Sequence, residues 1–147
     1  MLDDLTQHFT LKEATVTTTG IANDPESDEV VERLVNTATN MEVVRAILGR
    51  NPININSWYR SPAVNKAVGG VPRSEHANGA AVDFTCSRYG TPFEVAQSLL
   101  ANAHILNYNQ LIYEQSWVHI SFPPDGVRGK REVLTMKHGT YTKGLIK

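Results

Sequence analysis

Three residues have the types and spacing to hold a metal. His76 sits in a polar, glycine-containing loop. Asp83 follows seven residues later inside the apolar run Ala80-Ala81-Val82-Asp83-Phe84. His119 lies 36 residues further on, in Trp117-Val118-His119-Ile120. Two imidazoles and one carboxylate leave a fourth tetrahedral position open, which suits catalytic rather than structural zinc. Bound zinc lowers the pKa of water to about 7 and polarises a carbonyl. Spacing alone leaves a plainer alternative open. A histidine in a strand is often just hydrogen-bonded, and a carboxylate in an apolar strand needs a partner of some kind because its burial is costly. For Asp83 that partner is a metal, several backbone donors, or Arg60.

Other residues could complete a catalytic site around these three. Glu114 closes the apolar run Leu111 to Tyr113 and precedes His119 by five positions. In one straight strand the two would face opposite ways. With Gln115-Ser116 as a turn they share a face, and Glu114 can serve as general base and then acid. Its plainer alternative is a surface acid at a strand end. Glu75 is a weaker rival for the role. Arg60 and Ser74 are candidate substrate contacts, since a guanidinium offers paired donors to a carboxylate or carbonyl. Trp58, Tyr59 and Trp117 are candidate cleft walls, with core packing as their alternative. His8, His104 and His138 show no partnered spacing, and Cys86 has no nearby base to activate it.

These residues need elements to position them. Thr10 and Glu13 form a capping box for a short helix ending near Thr15. Asp24-Pro25-Glu26 is expected to open the longest helix. Its stripe contains Val30, Leu34, Met41, Val44 and Leu48, widened by Val31, Val35, Ala38 and Ile47; Asn36 to Asn40 are expected to loosen its middle, and Gly49 stops it. Ile53 to Asn56 alternates as a short strand, and Ser61-Pro62 starts a helix through Val68. Residues 71–79 read as a loop and 80–85 as a central strand. Thr91 caps a helix to about Ala103 that buries Phe93, Ala96, Leu99 and Leu100. Residues 110–113 and 117–122 are two strands, too close for a crossover. Arg131 to Met136 is expected as an edge strand. The sum is an α+β fold, with N-terminal helices packed on a small, mostly antiparallel sheet.

The whole chain bounds the possibilities. Its 147 residues fit one domain, 1–147, and a monomer is expected. The net charge is −1 with the histidines neutral, so a nucleic-acid partner is not expected. The mildly basic tail, with Arg128, Lys130, Arg131, Lys137, Lys143 and Lys147, reads as solvated surface. The single cysteine excludes an intrachain disulfide. No run approaches the roughly 20 apolar residues of a membrane span, and Met1 to Leu5 lacks the apolar core of a secretory signal. Cytoplasmic synthesis is the expectation, with separate release to any target outside.

The segment Ser57-Trp58-Tyr59-Arg60-Ser61-Pro62, through Ser74-Glu75-His76 and Gly79, to Asp83-Phe84 resembles the central motif of the M15 peptidases. Trp117-Val118-His119-Ile120-Ser121 resembles their second signature. His8 to Glu13 and the helix ending in Leu48-Gly49 are similar to the small, single-domain phage-type members. The resemblance implies a hedgehog/D-Ala-D-Ala peptidase-like fold and zinc held by His76, Asp83 and His119. It places Arg60 and Ser74 near substrate or oxyanion. Many members carry an acid three positions before the last histidine; here that position is Ser116, and the role passes to Glu114. The implied activity is hydrolysis in the peptidoglycan stem peptide. Two enzyme readings stand: an L-alanyl-D-glutamate endopeptidase of endolysin type, released by a holin, and a D-alanyl-D-alanine carboxypeptidase. A non-catalytic wall-binding or phage structural module is the alternative of another class.

Overall fold

The structure is a computed structural model that describes residues 3–71 and 74–147; part of the expected loop, residues 72–73, lies outside them. Helix α1, Leu11–Ala14, starts as its capping box dictates. Thr10 Oγ1 accepts from the Glu13 amide at 3.1 Å, and the Glu13 carboxylate accepts from the Thr10 amide at 3.0 Å. Helix α2, Asp28–Ile47, starts later than Asp24-Pro25 suggests. Ser27 is the cap, its hydroxyl accepting from the Val30 amide, with Asp28 and Glu29 at the positive end of the helix dipole. Val30, Leu34, Ala38, Met41 and Val44 bury one stripe, while Val35 lies off it and is exposed.

The polar middle of α2 does not loosen the helix. Thr37 Oγ1 donates to the Gly79 carbonyl at 2.8 Å, and Asn36 Nδ2 donates to that of Pro123 at 3.1 Å. These side chains tie α2 to the loops around the sheet. Gly49 takes the left-handed φ of +73° that ends the helix. Helix α3, Pro62–Ala67, is capped by Ser61. Helix α4, Pro92–Ala101, begins with the Thr91–Glu94 capping box and passes into a 3₁₀ turn, Ala103–Ile105. It buries Val95, Ala96 and Leu99. Leu100, expected inside, is exposed, and Phe93 is only partly buried.

Six strands form one sheet: β1 Asn54–Ser57, β2 Ala81–Thr85, β3 Gln110–Tyr113, β4 Val118–Ser121, β5 Glu132–Lys137 and β6 Thr140–Lys143, in the order β1-β2-β4-β3-β5-β6. Every pairing is antiparallel except β3 with β5. The 131–136 segment is therefore not an edge strand. It lies inside, covered by β6, a short exposed polar strand with no inward apolar alternation to announce it. The fold is α+β, with the N-terminal helices against a mostly antiparallel sheet.

The two faces of the sheet differ. Val82 and Phe84, Leu111 and Tyr113, and Val118 and Ile120 point into the core cluster shared with α2 and α4. Because side chains alternate along a strand, the intervening residues face the other way. Register aligns Ser57, Asp83, His119, Ile112, Leu134 and Lys143 in one row across all six strands. The core holds the back of the sheet, and this row forms the front.

Candidate metal centre and its cleft

Asp83 and His119 are direct cross-strand partners of β2 and β4, so backbone pairing alone brings their side chains together on the front face. His76 arrives from the loop before β2. That loop is held at both ends: the Arg60 amide donates to the His76 carbonyl at 2.9 Å, and the Trp58 indole and Thr37 hydroxyl both donate to the Gly79 carbonyl. Beside Asp83, β1 carries a bulge at Asn56, between Ile55 and Ser57. A bulge re-aims the chain that follows it, here Trp58 to Arg60.

One ligand atom from each of His76, Asp83 and His119 lies within 4.8 Å of the others. His119 Nδ1 is 2.8 Å from Asp83 Oδ1, and His76 Nε2 is 3.2 Å from Asp83 Oδ2. His76 is 4% exposed and Asp83 9%. Burial disfavours the Asp83 charge, but hydrogen bonds from His119 and His76 outweigh it and hold the carboxyl well below the usual carboxylate range. The buried carboxylate is thus partnered by two imidazoles; among the described residues Arg60 makes no ion pair with it.

The hydrogen bonding argues that the cluster is built for a cation. His76 Nδ1 lies 2.7 Å from the Trp58 carbonyl. A carbonyl only accepts, so Nδ1 carries a proton; Nε2 then hydrogen-bonds Asp83 only as an imidazolium, and in the neutral ring its lone pair faces the Asp83 oxygen. Two acceptors face each other there, and a cation between them resolves the conflict. The Trp58 carbonyl is the outer-shell acceptor that metal-bound histidines commonly have. His119 differs: Nδ1 can donate to Asp83, and it is Nε2 that is buried with no partner among the described residues. A nitrogen, nitrogen and oxygen donor set with an open side fits zinc.

The triad lies in a cleft of about 740 Å³ that Arg60, Ser74, Glu114 and Trp117 also line. Glu114 and Trp117 flank a two-residue turn, in which Gln115 adopts a φ of +69° and the Glu114 amide donates to the Trp117 carbonyl at 3.1 Å. This turn puts Glu114 on the face of Ile112 and His119, as the sharing of a face requires. Trp117 Nε1 donates to Glu114 Oε2 at 3.2 Å. Among the described residues nothing hydrogen-bonds to Oε1. Burial first, and the nearby Asp83 charge second, raise the Glu114 pKa.

The remaining candidates divide between the cleft and the core. Glu75 also borders the cleft, but both its oxygens are engaged, one by Ser121 Oγ at 2.8 Å and the other by Asn109 Nδ2 at 3.1 Å. Ser74 Oγ accepts from the His76 amide at 3.2 Å. Trp58 and Tyr59 do not wall the cleft. They are 0% and 1% exposed and belong to the core, where the Trp58 indole donates to the Gly79 carbonyl. Trp58 instead serves through its backbone carbonyl. His8 does have a partner, Glu42 at 2.7 Å, far along the sequence. Sequence reasoning missed Gln110, Glu132, Leu134 and Tyr141, which line the cleft. The two-residue spacing of Gln110 with Ile112 on β3 and of Glu132 with Leu134 on β5 was the available signal, but it required knowing that these strands adjoin; β6 offered none.

The fold and the triad are those of a zinc metallopeptidase. The chain belongs to the Peptidase M15 family, whose model matches residues 5–121. That span contains the three ligands, Arg60, Ser74, Glu114 and Trp117, and it ends with β4. No curated protein matches the chain. No described helix is long and apolar enough to cross a membrane.

Proposed function

We propose that the protein hydrolyses a peptide bond in the peptidoglycan stem peptide, as a phage or prophage endolysin that cuts between L-alanine and D-glutamate after release through a holin. The observation that carries the hydrolytic part is the placement of Glu114. It stands on the face of the triad, with Oε2 held by Trp117 and Oε1 free of hydrogen bonds among the described residues. Zinc held by His76, Asp83 and His119 supplies Lewis acidity toward the peptide carbonyl and acidifies water. Glu114 Oε1 takes a proton from the attacking water and returns it to the departing amine. Trp117 keeps the carboxylate oriented through this exchange. Arg60, on the cleft wall, donates to the oxygen on which negative charge develops.

A D-alanyl-D-alanine carboxypeptidase is the second reading, favoured by one feature. Arg60 lines the cleft without an ion-pair partner among the described residues and suits the free carboxylate of a substrate's terminus. Digestion of purified cell walls, with mass analysis of the products, separates the readings. New amino termini on D-glutamate support the endolysin, and release of D-alanine alone supports the carboxypeptidase. Hydrolysis that survives chelation overturns both. Saturable wall binding without any hydrolysis, zinc being present, would leave a binding module.

A further inference from the structure

The cleft extends beyond the part that the family model covers. The model ends at Ser121, whereas β5 and β6 contribute Glu132, Leu134 and Tyr141 to the cleft wall. In register, Glu132 pairs with Gln110 of β3, and Leu134 continues the row of Asp83, His119 and Ile112. Charge is distributed unevenly along this surface. Arg60 follows β1 at one flank; Glu132 stands on β5 at the other. The Glu132 side chain is exposed and accepts one hydrogen bond, from Gln110 Nε2 at 2.7 Å. A neutral amide orients that carboxylate without neutralising it. No described cation forms an ion pair with it, including Lys143, which stands cross-strand from Leu134 on the same face.

We propose that Glu132, oriented by Gln110, is a specificity-determining residue that receives an amino-bearing side chain of the peptide substrate, with the aliphatic stem of that side chain lying on Leu134. The position is set by the sheet. Glu132 is two strand spacings and one two-residue step from His119, or about 12 Å between Cα atoms. An extended peptide crossing the strands advances roughly 3.3 Å per residue. Two residues beyond the cut cover about 7 Å, and a lysine-length side chain spans the rest. A long amino side chain places its charge at Glu132 and its methylenes over the apolar residue between. The inference rests on the peptidase reading above. In the endopeptidase reading the diamino residue of the stem lies two positions after the cut; in the carboxypeptidase reading it lies two positions before it, and the chain must cross the cleft in the opposite direction to bring it to Glu132.

The test uses the zinc-loaded protein and soluble stem peptides with lysine, norleucine or glutamate at the diamino position. Wild type is expected to favour lysine over norleucine by about fivefold in kcat/KM, the upper range for a solvent-accessible ion pair, and added salt should shrink the ratio. Glu132→Gln should bring the ratio close to 1, and Glu132→Lys should shift preference to the glutamate peptide. Equal turnover of lysine and norleucine peptides by wild type, or an unchanged ratio in Glu132→Gln, overturns the proposal. Calorimetric binding of the same peptides separates it from the reading beneath it. If no peptide is cut, the peptidase reading fails. Equal affinities for lysine and norleucine, or no binding of either, count against the subsite itself.

Discussion

At the scale of residues, the chemistry depends on which atoms are left available. His76 spends Nδ1 on the Trp58 carbonyl and Glu114 spends Oε2 on the Trp117 indole. Each keeps its other atom for the cleft. Glu114→Gln preserves size and the acceptor for Trp117 but cannot take a proton. It should lower kcat by about 100- to 10,000-fold while zinc content, read by metal analysis, stays at the parent level. Retained turnover would remove Glu114 from the mechanism. A titration tests the environment of the same carboxyl. Burial and the Asp83 charge both disfavour ionised Glu114, so its pKa in the metal-free protein should lie above the usual carboxylate range. A cation bound at the triad favours the ionised form and should pull the value down. Carboxyl NMR with and without zinc reads both directions; an unchanged value on loading would contradict proximity of Glu114 to the ion.

At the scale of elements, α2 and the 76–80 loop form one mechanical unit. Gly79 holds a φ of +79°, and a Cβ there would lie 2.7 Å from Leu34 Cδ2 on α2. Gly79→Ala must relieve both the backbone strain and the contact with a fully buried leucine. We expect a loss of about 1–3 kcal/mol in stability, measured by denaturant unfolding, together with weaker zinc binding, because the displaced loop carries His76. A variant as stable and as tight for zinc as the parent would show that the loop is positioned by something else. This case also shows what the sequence can disclose. The loop glycine and the ligand beside it are legible, since Gly punctuates and His binds metals. Leu34 as the reason lies 45 residues upstream and is visible only in the packed structure. The start of α2 is a similar case. Asp24-Pro25 and Ser27 both carry cap chemistry, and local composition does not choose between them. Trp58 and Tyr59 were ambiguous for the opposite reason: aromatic residues beside a motif serve a cleft or a core equally well, and only the packed structure decides. The β5–β6 hairpin was least legible, because parallel pairing of β3 with β5 is a long-range choice, and β6 is too short and polar to advertise itself.

At the scale of the whole molecule, the amino-terminal segment supports the metal centre from a distance. Glu42 on α2 accepts from Thr6 Oγ1 at 2.7 Å and from the His8 amide at 2.8 Å, and meets His8 Nδ1 at 2.7 Å. These bonds anchor the strand of chain leading to Phe9, which is buried edge-on against Trp58 at 6.3 Å. Trp58 in turn presents the carbonyl that orients His76. Burial opposes the Glu42 charge, but the hydrogen bonds from Thr6 and His8 outweigh it and depress the pKa below the ordinary value of 4.5. A depressed carboxyl contributes stability that is fully present above its unfolded pKa and is lost as pH falls through the folded value. The relevant window is therefore acidic, below about pH 5. Glu42→Gln should be less stable than the parent at neutral pH, and the gap in urea midpoint should narrow steadily as pH falls through that window. A gap that stays constant with pH would mean that Glu42 contributes through packing or uncharged hydrogen bonds. The amino-terminal segment would still hold Phe9 on Trp58, but ionisation of Glu42 would have no part in holding it.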